Sequence, residues 1–173
     1  SQLNSERFSL FEKEFLGQPE VISIIPKNDS ILFLGTENNM LEFNTKSFKT
    51  KEIFKGGLDD RVYDGMFDSE TEEMYLAQHY GASHFINNKR DTLYLALDGQ
   101  RSLSKTWEVF KDHKGEIWLG TANGVGKLKG DEIVHWDNPN NISDHVFDIV
   151  QNKKGIIYFA TELGLYQLKN NEF

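Results

Sequence analysis

Five histidines, His79, His84, His113, His135 and His145, are the chain's candidate general bases, and no cysteine stands beside them as nucleophile or thiolate ligand. None belongs to a His-Glu-x-x-His pair, and the chain has no Gly-x-Ser-x-Gly elbow or phosphate loop for a histidine to serve. A second chemistry lies in Asp64, Glu108 and Asp148, which recur with Ser23 at one position of an internal repeat. Facing a common axis, such carboxylates could hold a divalent cation through oxygen. No ligand-loop motif accompanies them, so hydrogen bonding to backbone or water is the preferred reading, and no catalytic residue, metal or cofactor is expected. The third set suits binding rather than reaction: Asp59, Asp60, Arg61, His79, Tyr80, Lys105, Asn123, Asp144 and His145 combine carboxylates, an amide, cations and a ring able to hydrogen-bond and stack on a polar ligand such as a sugar.

The elements that must position these residues come from a repeat. Phe33, Tyr75, Trp118 and Tyr158 follow one another at intervals of 42, 43 and 40 residues, each two positions before a small residue, Gly35, Ala77, Gly120 or Ala160. Internal periods of that length, filled by short strands, are the size of a propeller blade. The third copy predicts strands at Thr106 to Phe110, Glu116 to Gly120, Val125 to Leu128 and Ile133 to Trp136, separated by Gly-bearing turns. The fourth predicts Val146 to Val150, Ile156 to Ala160 and Leu165 to Leu168; the first, Val21 to Ile25, Ile31 to Gly35, Met40 to Phe43 and Lys51 to Phe54. The second, most divergent, predicts Val62 to Phe67, Met74 to Ala77, Ala82 to Ile86 and Thr92 to Leu97. Asn39, Gly81, Gly124 and Gly164 mark the turn between second and third strands, where the glycines would supply positive φ.

The expected architecture is therefore all-β, a β-propeller of four-stranded antiparallel blades. Four blades fall at about 18–56, 57–101, 102–140 and 141–173, as one segment without separate domains. They form either a small closed ring or part of a larger propeller. Phe8-Ser9-Leu10-Phe11, within 7–11, resembles the outer strand that the last copy lacks and could close the ring, which would remove open sheet edges. Propeller ligands meet the channel mouth, which selects the loops before each inner strand and the turns between second and third strands; the binding residues above all come from these. Tyr63, Trp107 and Phe147, aligned with Ile22, are expected to pack between blades, as are Phe33, Tyr75, Trp118 and Tyr158. His84 and His113 fall on a third strand and on a turn at the other end, whereas Trp136, beside His135, is placed to cover its blade's edge or meet a partner.

Composition narrows the classes. The 173 residues carry a net charge of −8 with 15 Lys and 4 Arg scattered among turns, which disfavours a phosphate-tracking surface and hence nucleic-acid binding. No apolar run reaches membrane-spanning length, and the chain opens at Ser1 without Met, as a processed or excised piece would.

The block Gly115-Glu116-Ile117-Trp118-Leu119-Gly120-Thr121, with Gly124-Val125 after it and Trp107-Glu108-Val109-Phe110-Lys111-Asp112 before it, resembles the two-component regulator propeller repeat. Gly155-Ile156-Ile157-Tyr158-Phe159-Ala160-Thr161 with Gly164-Leu165, and Leu32-Phe33-Leu34-Gly35-Thr36, match the same pattern, while the second copy matches weakly. The resemblance implies a non-enzymatic, extracytoplasmic (periplasmic) sensor segment of a bacterial hybrid histidine kinase that detects a carbohydrate or other polar ligand. Such sensors typically have more than four blades, which leaves room for a homodimer that completes a larger propeller. Two other classes remain open: a protein-interaction scaffold, and an enzyme resembling streptogramin lyases that uses His79 or His145 as base.

Overall fold

Short apolar or alternating stretches between Asn, Asp and Gly turns favour strands over helices, and the described residues form fifteen strands. A computed structural model describes residues 20–56, 60–95, 105–130, 132–135 and 145–169. Four antiparallel sheets follow one another along the chain, each in simple up-and-down order. Blade 1 comprises β1 (Val21–Asn28), β2 (Ile31–Thr36), β3 (Asn39–Asn44) and β4 (Lys49–Lys55). Blade 2 comprises β5 (Val62–Asp68), β6 (Glu73–Gln78), β7 (Gly81–Ile86) and β8 (Lys89–Leu95). Blade 3 comprises β9 (Thr106–Lys111), β10 (Ile117–Thr121), β11 (Gly124–Lys129) and β12 (Glu132–His135). Blade 4 has three described strands, β13 (Val146–Gln151), β14 (Ile157–Thr161) and β15 (Gly164–Leu168). Each strand expected within the four blades has a described counterpart; β8 begins three residues earlier than the Thr92 predicted for it. Trp136 and the proposed closing strand at 7–11 lie outside the described residues.

Two turn designs recur. At one end of each blade an Asn or Asp side chain caps the link between first and second strands. Asn28, Asp68, Asp112 and Asn152 each accept backbone N–H groups two residues on and a further one or two residues beyond that. At the other end, the hydroxyls of Thr36, Thr121 and Thr161 donate to the carbonyls of Asn39, Gly124 and Gly164 at 3.0, 2.9 and 3.0 Å. Gly81, Gly124 and Gly164 there take φ of 128°, 107° and 131°, values that exclude most side chains. Blade 2 replaces the threonine by Gln78, whose amide spans from the Asp60 carbonyl to the Ser83 hydroxyl.

The core lies between blades. Ile25, Phe33 and Met40 of blade 1 meet Val62, Met74, Leu76 and Phe85 of blade 2. Ala77 and Ala82 of blade 2 meet Val109, Ile117, Leu119 and Ile133 of blade 3. Trp118 and Val125 meet Val146, Ile149, Ile157 and Phe159 of blade 4, with the Trp118 and Phe159 rings edge to face at 6.1 Å. After Phe33 and Trp118 a glycine is required where the next inner strand crosses. A Cβ on Gly120 would lie 2.7 Å from the Val146 carbonyl oxygen, and one on Gly35 would lie 2.8 Å from Val62 Cβ. Among the described residues blade 4 does not pack on blade 1: Val150 and Leu165 on its outward face are 51% and 73% exposed, while Leu34, Leu41 and Phe43 on the opposite face of blade 1 are buried. The described blades make an arc.

Candidate ligand-binding site at the mouth of the arc

Each inner strand carries the same irregularity. Its pairing with the second strand slips by one residue, between Val21 and Ser23, Val62 and Asp64, Thr106 and Glu108, and Val146 and Asp148. The extra residues are Ile22, Tyr63, Trp107 and Phe147. A bulge of this kind re-aims its side chain out of the strand's alternation, and here it does so at the end where the glycine turns lie.

The bulged residues of blades 2 and 3 meet across their junction, with Tyr63 and Trp107 ring centroids 4.7 Å apart. The Tyr63 hydroxyl and His79 Nδ1 are 2.9 Å apart and share a hydrogen bond. His79 presents its ring edge-on to Tyr80 at 4.7 Å, and Lys105 Nζ stands 5.6 Å from the Trp107 ring centroid. Tyr63 and Trp107 thus pack between blades as expected. Phe147 does not: its ring is 49% exposed, with His145 edge-on at 6.0 Å.

The structure brings Arg61, His79, Tyr80 and Lys105 to this end. Arg61 Nη2 reaches Glu37 Oε1 of blade 1 at 2.7 Å, an ion pair exposed enough to contribute at most about 1 kcal/mol. Asp60 supplies its carbonyl to Gln78 at 3.3 Å. Backbone bonds from Ala122 N–H to the Lys105 carbonyl, 2.8 Å, and from Glu162 N–H to the His145 carbonyl, 3.1 Å, tie each turn to its own inner strand. Asn123 is exposed in the blade 3 turn, and His145 Nδ1 lies 3.7 Å from Glu162 Oε2. His79 and His145 therefore occupy separate surroundings, one against Tyr63 and the other against Glu162. Asp59 and Asp144 lie outside the described residues.

Next to the bulges stand Ser23, Asp64, Glu108 and Asp148. Two of them reach the following inner strand: Ser23 Oγ donates to the Val62 carbonyl at 3.1 Å, and Asp64 Oδ2 accepts from Val109 N–H at 3.2 Å. Glu108 hydrogen-bonds Asp64. Burial, reinforced by the charges of Asp64 and Asp148, pushes Glu108 up to about 9, and burial also raises Asp64 although the Val109 and Gly65 N–H groups oppose it. The two carboxyls accordingly share a proton, with Glu108 as its holder and donor and Asp64 as acceptor. Among the described residues no three His, Cys, Asp or Glu side chains converge as a metal ion would require.

A cleft of about 350 Å³ opens at the other end, between Asp112, Lys114, Trp118, Gln151 and Lys154 of blades 3 and 4. The indole N–H there is already given to Asp112 Oδ2 at 3.1 Å, Lys127 Nζ stands 4.7 Å from the ring centroid, and Trp118 is buried, so the ring offers a ligand little free surface. His113 stands in the turn beside it, exposed, and His84 stacks on Tyr75 at 4.4 Å with Asp91 at 3.3 Å. The bulged row, with its open and half-open rings among cations and amides, is the better candidate. Alternation within single strands could not reveal it, since a bulge depends on the register between two strands.

Neither a protein-family model nor a curated protein matches the chain. Solved structures do. The extracellular domain of a protein assigned to a hybrid two-component system of Bacteroides thetaiotaomicron superposes on 90% of this chain with a TM-score of 0.72 at 18% identity. A second such extracellular domain from that organism superposes on 87% with a TM-score of 0.65 at 17% identity. Virginiamycin B lyase from Staphylococcus aureus superposes on 86%, TM-score 0.66, at 16% identity. The chain spans 22%, 20% and 55% of those chains respectively. What is held in common at these identities is the fold, a run of propeller blades.

Proposed function

We propose that the arc is the sensing part of a bacterial two-component receptor, lies outside the cytoplasm, and binds a carbohydrate or other polar ligand at the mouth over Tyr63, Trp107 and Phe147. The observation that carries this is the bulge repeated in all four inner strands, whose extra residue is aromatic in every blade from the second onward. Sugar C–H faces stack on such rings, while hydroxyls find the Arg61 guanidinium, the Lys105 ammonium, His79 and the Asn123 amide. The shared fold with two extracellular sensor domains supports the cellular setting. Binding across the Tyr63–Trp107 contact would bias how blades 2 and 3 pack, and a packing change between blades is a signal that a neighbouring domain can read.

The test is a titration with a panel of neutral and acidic oligosaccharides, read by intrinsic tryptophan fluorescence. A saturable change lost in Trp107→Ala and kept in Lys154→Ala, at the far end, is expected. No change with any member, or a change indifferent to Trp107, would overturn the reading. Turnover of a panel member, abolished by His79→Ala or His145→Ala, would replace it by the lyase-like enzyme.

A further inference from the structure

The three junctions between blades use the same positions and can be compared residue by residue. At the first, blade 1 contributes Ile25, Phe33 and Met40, all buried, to the core it shares with blade 2. At the third, blade 3 contributes Trp118 and Val125 to the core it shares with blade 4. At the second, the buried apolar residues of blade 2 are two alanines, Ala77 and Ala82, while Met66 and Tyr75 are only partly buried. Hydrophobic stabilisation scales with the apolar area removed from water, so this seam gains the least from its forward face.

The same seam holds polar groups that it does not satisfy. Among the described residues three buried side-chain atoms have no hydrogen-bonding partner: His84 Nε2, Thr106 Oγ1 and Trp107 Nε1. His84 stacks on Tyr75, on the face of blade 2 turned to blade 3, with its Nε2 3.8 Å from a Glu73 carboxylate oxygen. At the same register in blades 1 and 3, Glu42 and Lys127 are paired with Lys27 and Glu116 at 3.4 and 2.6 Å. Thr106 stands where blades 2 and 4 have Val62 and Val146, which lie against Gly35 and Gly120 of the preceding blade. Trp107 stands where blade 4 has Phe147, which has no N–H to satisfy. Each buried polar atom left unpaired is destabilising. Two polar contacts do cross the seam, Val109 N–H to Asp64 at 3.2 Å and Lys111 to Asp68 at 2.7 Å, but the ion pair is partly exposed and contributes little.

From this meeting of small apolar contacts and orphaned polar atoms we propose that the seam between blades 2 and 3 is a hinge, which opens locally ahead of the other two junctions and of global unfolding. Blades 1 and 2 then move as one unit against blades 3 and 4. The inference concerns the free protein and is independent of the ligand reading.

The chain has no cysteine, so a single introduced thiol reports one junction without background. Val62→Cys, Ala82→Cys and Val125→Cys place it at the first, second and third junctions, at positions no more than 1% exposed. Circular dichroism checks that each variant folds, and a urea titration gives its global stability. With a thiol reagent in excess, Ala82→Cys should be labelled at least about tenfold faster than global unfolding allows, and the other two no faster than global unfolding allows. Thr106→Val or Trp107→Phe, residues that the repeat uses at these positions in other blades, added to Ala82→Cys should slow the labelling by on the order of tenfold. Labelling of Ala82→Cys only at the rate of global unfolding overturns the proposal. So does an equal excess over global unfolding in Val62→Cys or Val125→Cys, or a rate that both Thr106→Val and Trp107→Phe leave unchanged.

Discussion

The junction between blades 3 and 4 and the outward face of blade 4 are built from the same positions and end in different states. Trp118 and Val125 are buried at the first, whereas Tyr158 is half-buried and Leu165 exposed at the second. Sequence alone gives the two faces nearly equal apolar character. What separates them is a neighbour, so burial in a repeat protein belongs to the interface between units and not to the unit. A face that reads as core in composition becomes surface where no described neighbour covers it.

The contrast can be broken most forcefully at its tightest point. Gly120→Val drives a branched side chain into the Val146 carbonyl and should cost upward of about 3 kcal/mol, while Ala160→Val, with no described strand across it, should stay within roughly 1 kcal/mol; urea midpoints measured at dilute concentration give both. Trp118→Ala opens the blade 3–4 core and should cost about 3–5 kcal/mol, against roughly 1 kcal/mol for Tyr158→Ala.

A smaller effect separates the mouth from both. Glu108 has its proton affinity raised in the folded chain to about 9, above the ordinary carboxyl value, so the folded state holds a proton that the unfolded state gives up. Stability should therefore fall as pH rises from about 4.5 toward 9, the unfolded and folded values for this group. Glu108→Gln should flatten that slope and raise the melting temperature at pH 8 by on the order of a few degrees. Asp68, held below its usual range by the Lys111 ammonium, works in the opposite sense: its contribution is present above the ordinary Asp value and is lost as pH falls. Its small loss in acid should disappear in Lys111→Met, measured as the shift of the thermal transition between pH 5 and pH 3.

How much was legible follows from which physics each feature uses. All fifteen strands and the positive-φ turns were readable, because alternation and Gly placement are local. So was the small residue after each aromatic, though its reason, the crossing of the next inner strand, is tertiary. The expectation that Tyr63, Trp107 and Phe147 all pack between blades was right for the first pair and differed for Phe147, which is exposed. Arg61, His79, Tyr80 and Lys105 lie at one end of their blades, and the link of His79 to Tyr63 depends on the bulge. The Asp64–Glu108 proton sharing was beyond reach because it couples two strands 44 positions apart, and nothing in either strand alone specifies that the carboxyls meet.

The small residue that follows each aromatic also acts as a gauge of curvature. Gly35 and Gly120 let the next inner strand lie directly on the backbone, whereas Ala77 interposes a methyl group at the junction of blades 2 and 3. Wedge angles add around an arc. One carbon atom, repeated at every blade, therefore helps decide how many blades a full turn can hold, and a chain can change the diameter of its ring without altering a single loop.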